Sequence, residues 1–287
     1  MNYSLLIEER KSSRAFQDKP VAQDVIDAVR KYYETDCRKL VPEIGTELLI
    51  CGTEAREALE SAAGYHEFLI GAPQYMLLLS DEHDCAGINA GYIMEDLSLK
   101  LNELGCGTCW LTFTDGAAIA AALAVESGKK VSAILAFGLP ARARKKIHLN
   151  MFTMSNVSIR AKQQYHDPKK GIDRLVYMDT YGNRDGVDEF IGLYGDILFE
   201  AFHAASNSPS YMNRQPYSFV IRDGKVVLIG EPDELTGPID AALNLGAVML
   251  HFQAVASEYI SSAAWTLPAG EVPGLPEGAC AVAEIAV

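Results

Sequence analysis

"AGINAGYIMEDLSLKLNELGCGTCW", residues 86–110, and "AALNLGAVMLHFQAVASEYISSAAW", residues 241–265, are two versions of one segment. At a single offset, Ala86, Asn89, Gly91, Met94, Glu103 and Trp110 fall on Ala241, Asn244, Gly246, Met249, Glu258 and Trp265. The chain has only 2 tryptophans, and they match each other. Self-similarity of this kind marks an internal duplication. Both copies read as long helices. Ile93, Leu97, Leu101 and Leu104 recur at helical spacing, as do Val248, Phe252, Val255 and Tyr259.

Working outward, each helix follows an apolar strand, "APQYMLLLS" (72–80) or "PYSFVIRD" (216–223). Each precedes another, "VSAILAFGL" (131–139) or "ACAVAEIAV" (279–287). The expected fold is α+β, with the order helix, strand, central helix, strand used twice. Residues 1–150 would form the first half, 151–184 a polar connector and 185–287 the second half. Two like units in one chain suggest a homodimer fused about a pseudo-twofold axis, so that a monomer would suffice.

The bulk numbers narrow the function. The 287 residues are 49% hydrophobic, ample for a core, and carry a formal net charge of −13. That charge argues against nucleic acid or an anionic membrane as a general partner. The start, "MNYSLLIEERKSSR", turns charged after seven residues and lacks a signal-peptide core, and no run reads as a membrane span. Scattered cysteines fit a reduced, cytoplasmic setting. Cys106 and Cys109 make a CxxC in "LGCGTCWL", but no second pair at ligand spacing accompanies it. Both read as small buried hydrophobes, and no metal is expected. There is no G-x-G-x-x-G after a strand, no Walker loop and no G-x-S-x-G.

Two stretches carry polar chemistry. "IEERKSSRAFQDKP" (7–20) crowds Arg10, Lys11 and Arg14 around Ser12 and Ser13. Arginine gives planar bidentate donors, lysine a point charge and serine short hydroxyl donors, a set suited to an anion. The same residues also fit a solvated turn before the helix that begins near Val21. "SNSPSYMNRQPYSFVI" (206–221) runs small polar residues, two prolines and an Asn/Arg/Gln trio into a strand. A surface loop is the simple reading.

Taken together, these stretches resemble the flavin-dependent nitroreductase superfamily. "RKSSRAF" (10–16) is similar to its Arg-Arg-Ser-x-Arg-x-Phe signature, and "SPSYMNRQPYSFVI" (208–221) to its Pro-Ser-x-x-Asn-x-Gln-Pro-Trp-x-Phe signature, with Tyr217 in place of Trp. "LNELGCGTCWL" (101–111) resembles the stretch after its central helix, and "AILAFGLPARARKK" (133–146) its late strand and basic tail. The order departs from the usual family, where both signatures lie near the N-terminus of one subunit. Here 36–50 has lost the second signature, and the second half has no counterpart of the first. The chain looks like the fused, two-domain members.

The resemblance implies FMN as cofactor, with NAD(P)H as donor and a small organic molecule as acceptor in ping-pong turnover. It implies one flavin site made from both halves and a decayed mate. Carried over by position, Arg10, Lys11, Ser12 and Arg14 would hold the phosphate, ribityl chain and pyrimidine edge. Pro209, Ser210 and Tyr211 would line the ring, while Asn213 and Gln215 would bond its edge or fix the loop. Trp110, Leu111 and Thr112 would pass near it. One or more of Arg142, Arg144, Lys145 and Lys146, with Lys145 nominated, would close on the phosphate, a solubilising tail being the other reading. Tyr65 and His66 could reach the flavin, but a core or helix-end role is the preferred reading for both. No acid–base residue is nominated, because the cofactor carries the chemistry. A same-fold flavoenzyme of different reaction and a non-catalytic flavin-binding or interaction protein stay open as alternatives.

Overall fold

The computed structural model describes residues 1–60, 62–64, 69–141, 147–153, 156–161 and 168–287, with 147–153 and 156–161 traced as main chain. The chain opens with α1 (Tyr3–Glu9), α2 (Gln23–Thr35), β1 (Thr46–Cys51), α3 (Arg56–Glu60) and β2 (Gln74–Ser80). Next come α4 (Ala86–Glu103), β3 (Gly107–Trp110), α5 (Gly116–Ala122) and β4 (Lys130–Gly138). A hairpin of β5 (Ile147–Thr153) and β6 (Asn156–Ala161) leads to α6 (Ile172–Leu175), β7 (Val176–Met178) and α7 (Val187–Leu193). The chain ends with α8 (Asp196–Ser206), β8 (Tyr217–Arg222), β9 (Lys225–Gly230), α9 (Pro238–Ala256), β10 (Trp265–Thr266) and β11 (Cys280–Ala286).

The first sheet has the order β1-β2-β4-β3, and the second β7-β8-β9-β11-β10. Without β7, which pairs parallel to β8, the second repeats the first strand for strand. The pairing corrects one sequence expectation. The strand at 216–223 is the counterpart of β1, not of β2, whose mate is β9. Each half therefore has two strands before its central helix and two after it. β1 escaped the sequence reading because it lies at a sheet edge, with four of its residues half-buried in a row rather than alternating. β9 is joined to β8 by Asp223-Gly224, both at positive φ (51° and 71°), the Asp-Gly turn that suits a two-residue hairpin.

Helices separate the sheets. α4 packs on the first sheet with α2, and α9 on the second with α8. α4 and α9 lie back to back along the middle. Both are buried nearly all round, so their apolar residues spread beyond one stripe. α9 is long and apolar enough to cross a membrane, with a mean hydropathy of 1.3, but 67% of it is buried in the protein as a core helix. The contact between the two helices is reciprocal. A Cβ on Gly91 would collide with the Leu243 backbone, and one on Gly246 with that of Ile88. Gly91 and Gly246 are mates, and so are Ile88 and Leu243. That is the isologous contact of a twofold dimer, written within one chain. α1 crosses to the second half, where Tyr3 and Ile7 join the core around α8 and α9.

Candidate functional site

The basic stretch after α1 is extended. Ser12 bridges Thr108 in parallel, Phe16 bridges Pro140, and Ser13 N donates to Thr108 O at 2.8 Å. Alternation along this added strand sends Ser12 and Arg14 to one side and packs Ser13 against Gly107 on the other.

Ser12 and Arg14 face a cavity of about 350 Å³ between the halves, within the usual range for small-molecule sites. Cys109, Trp110, Leu111 and Thr112 continue the wall at the end of β3. The second half supplies Pro209, Ser210, Tyr211 and Met212. It also supplies one face of α9: Asp240, Leu243, Asn244 and Ala247. Of the residues singled out in the sequence, the structure brings Ser12, Arg14, Trp110–Thr112 and Pro209–Tyr211 around this one cavity. The sequence reading missed the α9 face, although the spacing i, i+3, i+4, i+7 across the duplicated segment was the available signal.

The 207–216 loop is fixed by many bonds. Tyr211 N donates to Asn244 Oδ1 at 2.9 Å, and Gln215 N to Ser210 Oγ at 3.0 Å. Gln215 is 1% exposed. Its amide donates to Ser206 O at 2.7 Å and Tyr217 Oη at 3.1 Å, and accepts from Lys170 N at 2.8 Å. These bonds hold Met212, Asn213 and Gln215 at φ of 48°, 58° and 48°, left-handed conformations that cost non-glycine residues about 1–3 kcal/mol each. Strain held this firmly clusters at binding sites.

Three anticipated contacts have other partners. Gln215 lies under the loop, because its three bonds are internal. Asn213 turns its amide to Pro168 O at 3.0 Å. The Arg10 side chain is 6% exposed and points inward, its Nε 3.4 Å from Glu95 Oε1 without hydrogen-bond geometry. Lys11 is exposed and is not part of the wall. Tyr65, His66, Arg142, Arg144, Lys145 and Lys146 lie outside the described residues.

Arg10 belongs to a buried network. Glu95 Oε2 accepts from Trp110 Nε1 at 2.9 Å, and Oε1 lies 2.9 Å from His251 Nε2. His251 Nδ1 lies 3.0 Å from Ala204 O, so both ring nitrogens face oxygen acceptors. Burial alone would raise the Glu95 pKa. The His251 bond, the Arg10 charge and the Trp110 bond together carry it below the ordinary glutamate value. This network joins α4 to α9 and fixes the indole in the cavity wall.

Among the described residues, the pseudo-equivalent region carries bulkier side chains packed into a core. Asn89 repeats the role of Asn244, its Oδ1 accepting from Leu40 N at 3.1 Å and Val41 N at 3.0 Å. Where the cavity has Ala247, this side has Tyr92, 2% exposed, its hydroxyl donating to Gln253 Oε1 at 2.8 Å. The offset places Leu267 opposite Thr112 and Cys85 opposite Asp240. Leu40, Ile88 and Leu267 pack into the same core as Tyr92.

The chain matches the family model described as "Putative TM nitroreductase" over residues 3–256. A structure from Thermotoga maritima described as a putative nitroreductase aligns with a TM-score of 0.59 at 17% identity, covering 100% of this chain and 94% of its own. An FMN-dependent nitroreductase from Clostridium difficile gives 0.41 at 20% identity, covering 51% of this chain and 98% of its own. A putative nitroreductase in complex with FMN from Desulfovibrio desulfuricans gives 0.42 at 19% identity, covering 50% and 88%. No curated protein matches. The Thermotoga maritima likeness bears on the fold alone.

Proposed function

The chain belongs to the nitroreductase family whose model it matches over residues 3–256, and from that premise we propose that it is an FMN-dependent oxidoreductase. It would pass reducing equivalents from NADH or NADPH to a small organic acceptor. The carrying observation is the cavity that Ser12 and Arg14 share with Pro209–Tyr211, residues from opposite ends of the chain. Its polar groups suit the cofactor. Arg14 offers a guanidinium, Ser12 a hydroxyl, and Asn244 Nδ2 is a buried donor without a partner.

In this reading Ser12 and Arg14 would bind the phosphate and ribityl end. Trp110, Leu111 and Thr112 from one half and Pro209, Ser210 and Tyr211 from the other would line the ring's site. Glu95 orients Trp110, Arg10 balances Glu95, and Gln215 and Asn213 hold the loop. FMN, when bound, supplies hydride transfer through its N5. The residues position the ring, keep one face open and exclude water.

The test is direct. The full chain, saturated with FMN and freed of excess, is expected to carry flavin at a ratio near one, and NADH or NADPH to bleach it without oxygen. A ratio near zero overturns the reading. Flavin that neither nucleotide bleaches leaves a binding protein rather than an enzyme.

A further inference from the structure

Two polar side chains in the cavity have no job in the fold that accounts for their chemistry. Asp240 lines it from the first turn of α9, and its Oδ2 accepts from Thr112 Oγ1 at 2.6 Å. Among the described residues no cation forms an ion pair with it. Burial raises its pKa and the threonine bond only partly offsets this, so the carboxyl sits in a place that disfavours its charge. Asn244 lies one turn further along the same wall and is 5% exposed. Its Oδ1 is committed to Tyr211 N, which fixes the amide orientation and leaves Nδ2 as a buried donor with no partner. Residues four apart on a helix are neighbours, about 5–6 Å between Cβ atoms.

The filled half supplies the control. Asn89 holds its loop by the same kind of backbone bond as Asn244 and also leaves Nδ2 unpaired, but it does not line the cavity. Asp240 has no polar equivalent there: its mate is Cys85, and Thr112's mate is Leu267. The loop bond is thus common to both halves. The acceptor beside the donor is confined to the open one.

We propose that Asp240 and Asn244 form a subsite that reads an amide edge, an N–H and a C=O side by side on a planar ligand, with the Asp240 carboxylate accepting from the N–H and Asn244 Nδ2 donating to the carbonyl. This rests on the flavin reading above and deepens it. Two sources offer that edge: the imide of the flavin pyrimidine ring and the carboxamide of nicotinamide. A site built to bond a ligand N–H discriminates strongly against an analogue lacking it.

The experiment has two arms, both read by binding. In the first, the flavin-free chain is titrated with FMN and with N3-methyl-FMN by quenching of flavin fluorescence. In the second, the FMN-loaded chain is titrated with nicotinamide and with nicotinate, read by the perturbed flavin absorbance. Wild type is expected to prefer the N–H-bearing ligand by roughly tenfold in one arm, a single hydrogen bond's worth. Asp240→Ala is expected to abolish that preference in the same arm. Asn244→Ala is expected to weaken both ligands of that arm, beyond what Asn89→Ala does at equal melting temperature. Discrimination by methylated FMN assigns the edge to the flavin, and by nicotinate to the nicotinamide. FMN binding with no discrimination in either arm, or discrimination that survives Asp240→Ala, overturns the subsite and leaves the flavin reading standing. Failure to bind any flavin overturns both.

Discussion

The two ends of the α4–α9 interface share one backbone frame and differ in a handful of side chains. At one, Ala247, Thr112 and Asp240 border a cavity of about 350 Å³. At the other, the offset puts Tyr92, Leu267 and Cys85 at those positions, and Leu40 and Leu267 pack into the core that holds Tyr92. The backbone frame is shared. Loops 36–45 and 207–216 have equal length, and each is tied to the central helix of its own half through an asparagine. What separates an open site from a packed core here is side-chain volume. The loops also differ in strain. Among the described residues, 207–216 holds three non-glycine residues at positive φ, and 36–45 holds none. Each side leaves one asparagine Nδ2 unpaired, at Asn89 and at Asn244, while the positive-φ residues are confined to the open side's loop.

The largest effect is expected from emptying the closed side. Tyr92→Ala removes a fully buried ring and its bond to Gln253, and should cost about 3–5 kcal/mol in urea unfolding. It should not create a second flavin site, because Leu40 and Leu267 remain packed in that core. A flavin ratio rising toward two would show that bulk alone closed the mate.

A similar loss is expected where the two central helices differ most in charge. Glu95 is the mate of Leu250, so Glu95→Leu restores the symmetry of the pair. It also strips the counter-charge from Arg10 and leaves His251 Nε2 and Trp110 Nε1 without an acceptor. Breaking a buried pair in this way costs about 3–5 kcal/mol. The pH dependence has a definite sign. The folded-state pKa of Glu95 lies below its unfolded value, so folding releases a proton in the acid range. Its contribution is present above the unfolded glutamate value of about 4.3 and is lost as pH falls through the folded value. Glu95→Gln should flatten that acid limb. An unchanged acid limb would mean that other carboxylates carry it.

Much of this was legible before any coordinates. The duplicated helix located the pseudo-twofold axis, and the clusters at 10–16 and 208–217 marked two walls of the cavity. What stayed hidden has physical causes. β1 is a half-buried edge strand without alternation, and β10 is only Trp265–Thr266. Arg10 looked like part of an anion site because charge clusters are read as exposed. Its actual partner, Glu95, sits in a helix buried on all sides, where one-dimensional pattern gives no hint of pairing. Asp240 and Asn244 share the i, i+3, i+4, i+7 spacing of the α9 face with Leu243 and Ala247, a spacing that marks a buried face without telling a pocket wall from a core.

Filling the open side should be the next effect in size. Ala247→Tyr places the mate's ring in the cavity and should weaken FMN binding roughly hundredfold, about 2.7 kcal/mol, with little loss of stability. Affinity within a few-fold of wild type would place the flavin away from the α9 face.

The smallest expected effect concerns the strained loop. Met212 sits at φ 48° with its side chain 54% exposed, so its conformation is imposed by the bonds at Tyr211 and Gln215 rather than by packing. A left-handed residue costs about 1–2 kcal/mol relative to glycine, and glycine gives back part of this through its larger unfolded-state entropy. Met212→Gly should therefore stabilise the protein by about 0.5–1 kcal/mol in urea, despite losing a cavity-lining side chain. Glycine at the corresponding position of the closed half, Val41→Gly, has no such strain to relieve and should destabilise. If both substitutions destabilise alike, the strain in 207–216 is not a property that separates the open site from its closed mate, and volume alone must account for the difference.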